Sequence, residues 1–150
     1  MPDYFRLRFT IEGVPELSRI LNVEHQKVSN FKEPLQKSAQ MVRQDVERNF
    51  VTEGGLVGGW KPLAPTTVAG RVREGYPGEH PILQKTGALR KSFYSFVDSK
   101  RAVISSKSPY FVYHQSRQPR KWLPRRAILV LTEHTRQNIV EEFNKFLRFK

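Results

Sequence analysis

The chain has 150 residues, with 26 Lys and Arg against 14 Asp and Glu, giving a formal net charge of +12 at neutral pH. That length supports one domain with a core of its own, and the absence of cysteine excludes a disulfide framework, thiolate catalysis and a Cys-based zinc site. No apolar run approaches the roughly 20 residues that span a bilayer, and a pI near 10.3 leaves nucleic acid, an anionic membrane or an acidic protein as candidate partners.

Tyr4 to Ile11 reads as a strand, because Phe5, Leu7, Phe9 and Ile11 alternate with Arg6, Arg8 and Thr10. The same alternation is unlike a signal peptide. Gly13 and Pro15 end it, and a short helical piece is expected over Glu16 to Leu21. A longer helix is predicted from about Glu33 to Phe50, where Leu35, Ala39, Val42, Val46 and Phe50 recur at three- and four-residue steps. Pro34 suits its first turn, where a missing N–H costs nothing.

Between Val51 and His80 the periodicity dissolves among seven glycines and three prolines. A long flexible loop is expected there, with a short helix over Val68 to Val72 capped by Thr66. Loops beyond roughly 12–15 residues are uncommon in compact domains unless they work or are disordered. A turn of helix follows over Gly87 to Lys91, then strands over Phe93 to Val97 and Arg101 to Ser105, joined around Asp98. Pro109 opens a short element through His114, Pro119 to Arg126 is a basic loop, and Ala127 to Leu131 is a β-like apolar run. Thr132 is a fair N-cap for a last helix with Ile139, Val140, Phe143, Phe146 and Leu147 as its apolar stripe. The sum is an α+β protein forming a single domain over residues 1–150. It has a small antiparallel sheet packed with a long helix and a C-terminal helix, plus a long Gly/Pro-rich loop at about 51–80.

Charge is unevenly placed. From His80 to Thr132 there are eleven Lys and Arg and one acid, Asp98, a net of 11 − 1 = +10, while the rest of the chain holds 15 basic and 13 acidic residues. One surface is therefore expected to face something negative. Aromatic residues interleave with these cations. Phe93, Phe96 and Phe111 are assigned to the core, whereas Tyr113 and Trp122 sit beside polar residues and suit a surface contact.

Catalytic patterns are sparse. The four histidines are scattered without metal-ligand spacing. Ser29-Asn30-Phe31-Lys32 and Lys85-Thr86-Gly87 match two elements of a penicillin-binding signature, but the third is absent. A nuclease would need carboxylates for metal near the basic face, and only Asp98 lies within it. No catalytic residue, metal site or cofactor is expected.

Several segments taken in order resemble the phage virion-morphogenesis family, the tail-completion or neck proteins of Mu-like and related tailed phages. They are Trp60-Lys61-Pro62-Leu63 with Thr66-Thr67, Ile82-Leu83, Thr86-Gly87-Ala88-Leu89-Arg90-Lys91-Ser92, Pro109-Tyr110 with His114-Gln115, and Leu123-Pro124-Arg125-Arg126. The resemblance runs from about Val42 to Phe146. The chain departs from the family pattern at Ser116 and Arg117, where Gly is usual, and at Arg125-Arg126-Ala127-Ile128, where the family tends toward Ala-Arg-Pro-Phe.

The resemblance implies a non-enzymatic virion component at the head–tail junction, in the host cytoplasm during assembly. It would form a homo-oligomeric ring, commonly of six subunits, through which double-stranded DNA passes. Its expected partners are a head-side connector or portal-associated protein and a tail terminator or tube protein, with no membrane. Contact with DNA or an acidic partner is expected from Arg90, Lys91, Lys107, Arg117, Arg120, Lys121, Arg125 and Arg126. Trp60, Leu63, Tyr113 and Trp122 are the candidate assembly residues, with the Trp60 to His80 loop and the C-terminal helix as patches, and Trp60 and Leu63 are expected to anchor the long loop either onto their own domain or onto a neighbour. The alternative is a stand-alone basic nucleic-acid-binding protein.

Overall fold

The computed structural model describes residues 6–10, 30–118 and 120–148. The helix expected over Glu16 to Leu21 lies outside them. Strand β1 (Arg6–Thr10) comes first, then the twenty-residue helix α1 (Lys32–Val51). Asn30 starts that helix: its Oδ1 accepts the Lys32 backbone N–H at 3.0 Å. Leu35, Ala39, Val42, Val46 and Phe50 are all buried, as their spacing predicts.

Strands β2 (Phe93–Val97) and β3 (Arg101–Ser106) form an antiparallel hairpin, and β3 is the middle strand of a three-stranded sheet ordered β1-β3-β2. The hairpin turn is fixed by Asp98, whose carboxylate accepts the backbone N–H groups of Lys100 and Arg101 and the Arg101 Nε at 2.8–3.0 Å. The Lys100 backbone N–H, with help from Arg101, holds the Asp98 pKa below the usual carboxylate range.

The described residues fall into two compact units, one of 44–94 with 105–130, the other of 6–10, 30–43, 95–104 and 131–148. In the second, helix α5 (Glu133–Arg148) is capped by Thr132, whose Oγ1 accepts the Thr135 N–H at 3.1 Å. Phe31 is buried with its ring 5.8 Å from that of Phe143 and 6.0 Å from that of Phe146. Its N–H donates to the Ser99 carbonyl at 2.8 Å, and Lys37 reaches Glu142 at 3.2 Å. Ile139, Phe143, Phe146 and Leu147 are half-buried, but Val140, expected in the same stripe, is 53% exposed. One residue step turns a helix by about 100°, which carries Val140 off the face that Ile139 and Phe143 share.

In the first unit, the stretch expected as one long loop is largely built. A 3-10 turn covers Gly55–Val57 and helix α2 covers Pro65–Arg73. Thr66 is not its cap. The helix starts one residue earlier on Pro65, which needs no capped N–H, and Ala64 at the N-cap makes no side-chain bond. Trp60 pins the stretch: it is 7% exposed, its ring stands edge-on to Phe50 at 5.6 Å, and its Nε1–H donates to the Ala127 carbonyl at 2.9 Å. Gly54 makes room, since a Cβ there would lie 2.4 Å from Trp60 Cδ1, and its φ of 91° suits glycine alone.

Two charged side chains close the rest. Buried Arg71 donates to the Gly78 and Pro81 carbonyls, both at 3.1 Å. Glu53 accepts the Ile82 N–H at 2.6 Å and meets His80 Nδ1 at 2.6 Å. Neither clamp has a periodic signature, so composition alone shows only the glycines and prolines.

Candidate functional site

The basic segment belongs to the first unit almost entirely, and its parts are placed by short elements. Helix α3 (Ala88–Lys91) begins at Gly87, whose φ of 73° lets the chain turn into it. Helix α4 (Phe111–Gln115) carries Tyr113, His114 and Gln115. Phe111 anchors α4 in the core, 5.1 Å from Phe93, which in turn meets Phe50 at 6.0 Å.

Gln115 holds the apolar run beyond the basic loop. Its Oε1 accepts the N–H groups of Ile128 (2.9 Å) and Leu129 (3.1 Å), and its Nε2 donates to the Leu129 carbonyl at 2.7 Å. Asn49 on α1 donates to the Ala127 and Ile128 carbonyls at 3.1 and 3.0 Å. The run Ala127 to Leu131, expected as a strand, is therefore no strand. Ala127, Ile128 and Leu129 are buried, Val130 is half-buried and Leu131 is exposed, and the backbone of the buried part is bonded to the side chains of Asn49, Trp60 and Gln115. Buried backbone groups need partners, and here side chains replace a neighbouring strand. Asn49 was detectable in principle, as a lone amide on the apolar face of α1. Gln115 has no such signal outside the His-Gln motif.

The expected anion-contact residues divide into two sets. Arg126 is a correction: it is 4% exposed, with Nε and Nη2 donating to the Lys61 and Pro62 carbonyls, both at 2.8 Å. Its guanidinium holds the Trp60 segment in place, and burial lowers its pKa. Arg90 is also engaged within its own unit, reaching the Glu47 carboxylate at 2.7 Å and Gln84 at 3.0 Å. Lys91, Lys107, Arg117, Arg120, Lys121 and Arg125 are exposed. The local sequence has no carboxylate to draw them inward, so their charge stays in water.

The aromatic candidates divide as well. Trp60 anchors the stretch onto its own unit, one of the two expected arrangements, and only its place among the assembly residues is corrected, because an indole held in its own core presents no surface to a neighbour. Trp122 is the opposite case, 85% exposed with Lys121 Nζ 4.9 Å from its ring centroid. Tyr113 is exposed beneath the Arg120 guanidinium at 4.4 Å. Phe96, assigned to the core by sequence, is exposed too.

Within this unit lies an open groove of about 1110 Å³, and of the expected contact residues Leu63, Lys107, Trp122 and Arg126 line it. Leu63, Leu83, Leu89, Tyr110 and Leu123 give it apolar walls, and Trp122 stands at its edge. Lys61, Arg71, Lys85, Lys107 and Arg126 contribute five cations against one acid, Glu74. Glu74 is ion-paired with Lys85, and that pairing lowers its pKa. His114 also lines the groove. Burial, then the Arg126 and Arg120 charges, push its pKa down to about 4, so the ring is neutral at pH 7. Its Nδ1 is buried without a hydrogen-bond partner among the described residues.

Such a surface can hold an anionic or acidic partner and bury apolar side chains against it. Among the described residues no three His, Asp or Glu side chains converge as metal ligands, and no helix is long and apolar enough to cross a membrane. No curated protein and no solved structure matches the chain. The sequence model of the phage virion morphogenesis family matches residues 14–148, nine-tenths of the length, with the groove and its basic rim inside the match. This chain belongs to the phage virion morphogenesis family, a structural and tail-associated family of the virion.

Proposed function

We propose that this protein completes the phage tail at the head–tail junction, as a ring subunit around the path of double-stranded DNA. Family membership supplies the setting. The observation that carries the finer assignment is the set of exposed cations, Arg117, Arg120, Lys121 and Arg125, within one short stretch of a single compact unit. Among the described residues these cations make no ion pair, which suits them to tolerate or guide phosphates by charge, without reading sequence. A closed ring needs two different patches on each subunit, and α5 is a candidate for one of them.

The test is structural and genetic together. Electron microscopy of assembled particles should find several copies in a ring at the joint. Replacing Arg117, Arg120, Lys121 and Arg125 with Gln should give particles that fail to join tails or to retain DNA. A single copy at the joint, or none, refutes the ring, and normal infectious particles from the fourfold variant refute the DNA-facing role.

A stand-alone nucleic-acid-binding role is favoured by one observation, the net charge of +12. Any protein so charged binds DNA at low salt, so the discriminating measurement is affinity at physiological salt. Tight binding there by the free chain would favour that second role.

A further inference from the structure

The groove combines features that the DNA path does not use. Phosphates are recognised by charge, yet the groove wall is built from Leu63, Leu83, Leu89 and Leu123. A duplex is a convex rod with phosphates outermost and would leave those side chains in water. Trp122 at the edge is 85% exposed, and a large aromatic group beside an apolar hollow is the kind of residue that dominates protein–protein contacts. Charge in the groove is one-sided. Arg71 and Arg126 are buried and bonded to carbonyls, Lys61 and Lys107 are exposed, and the single acid is already taken by Lys85. Buried cations are weakly screened, so their field persists into the hollow.

A second copy of this chain is a poor occupant. Glu33, Glu47, Glu74, Asp98, Glu133 and Glu142 each hold a Lys or Arg of their own chain. Glu53 is bonded to His80 and Ile82, and Asp45 is buried. Among the described residues this leaves Glu79 and Glu141, two isolated acids far apart in sequence. Among the described residues a neighbouring subunit therefore offers no acidic patch.

We infer that the groove edged by Trp122 and Lys107 is the docking site for an acidic segment of a different protein, one whose apolar side chains enter between Leu63, Leu89 and Leu123. The segment's carboxylates meet Lys61 and Lys107, and its apolar residues cover the hollow. This deepens the junction role by giving the chemistry of the partner, and it rests on that role only for where the partner is met.

The chain has two tryptophans, one at the groove edge and one in the core, so their indole N–H signals serve as reporter and control. The experiment titrates the full-length, nitrogen-15-labelled protein with a short synthetic peptide in which Leu and Phe alternate with pairs of Glu. The Trp122 indole signal and the Leu63 and Lys107 amides should shift saturably while the Trp60 indole stays still. Trp122→Ala and Lys107→Glu, both at exposed positions, should each weaken binding by about tenfold or more. The same peptide with Ser for Leu and Phe should bind at least about tenfold more weakly.

Equal binding of that all-polar peptide would reduce the site to charge alone and overturn the inference. So would stronger binding at the same signals by a short DNA duplex, or concentration-dependent shifts without any peptide, which would mark a second copy as the occupant. No shift at any of these signals overturns it as well. All of these outcomes are read in solution, so they are separable from the position of the protein in the particle, which tests the junction role.

Discussion

Removing the Gln115 side chain is the sharpest test of how the basic unit is held. In Gln115→Ala three hydrogen bonds vanish together, leaving the N–H groups of Ile128 and Leu129 and the Leu129 carbonyl without that partner. Ile128 is 0% exposed and Leu129 is buried, so water reaches these groups poorly. A satisfied hydrogen bond is worth about 1 kcal/mol net, whereas a buried group left unpaired costs about 1–3 kcal/mol. Three such groups, with some local relaxation, give an expected loss of roughly 3–5 kcal/mol, a large share of a typical domain's total of about 5–15 kcal/mol.

Gln115→Glu is the finer probe. It keeps the acceptor but sets a second oxygen against the Leu129 carbonyl, where the amide nitrogen now sits at 2.7 Å. Only a protonated carboxyl can donate there, so its folded pKa is raised above the unfolded value. Stability from that bond is then present at low pH and lost as pH rises through the folded pKa. The gap between variant and parent should therefore shrink on acidification. Urea unfolding followed by Trp60 fluorescence gives the stability, and amide exchange at Ile128 and Leu129 gives the local effect. A Gln115→Ala protein within about 0.5 kcal/mol of the parent, with unchanged exchange at those two amides, would refute the reasoning.

Trp60→Ala should cost about 3–5 kcal/mol in urea unfolding followed by circular dichroism, from lost burial against Phe50 and the lost bond to Ala127. His114 makes the parent sensitive to acid. With a folded pKa of about 4 against 6.5 unfolded, the unfolded chain binds the proton first in that window, so stability is complete above about pH 6.5 and falls as pH drops toward 4. Full burial would make this roughly 3 kcal/mol, but partial solvent access reduces it to about 1–2 kcal/mol, and His114→Phe should flatten the dependence in a pH series of unfolding curves. Changing Arg117, Arg120, Lys121 and Arg125 to Gln should move stability by no more than about 0.5 kcal/mol each. Each lost phosphate contact should flatten the dependence of log affinity on log salt by about 0.9 in a DNA titration. Arg126→Gln should behave differently, unfolding at lower urea because its carbonyl bonds hold Lys61 and Pro62.

Much of the architecture was legible in the residues themselves. Periodicity gave α1 and its buried face, alternation and turn residues gave β2 and β3, and Thr132 marked the start of α5, because those features are local and repeat. Charge counting located the basic segment, because net charge survives any folding of the chain. What sequence could not apportion was which cations remain in water. Arg125 and Arg126 are adjacent and chemically the same, yet one is exposed and the other is held by two carbonyls far away in the chain. The same holds for the two tryptophans, and for an apolar run that reads as a strand but finds its partners in Asn49, Trp60 and Gln115. Those outcomes depend on which distant backbone groups need a donor or an acceptor. Only the packed chain sets that demand, and no local pattern encodes it.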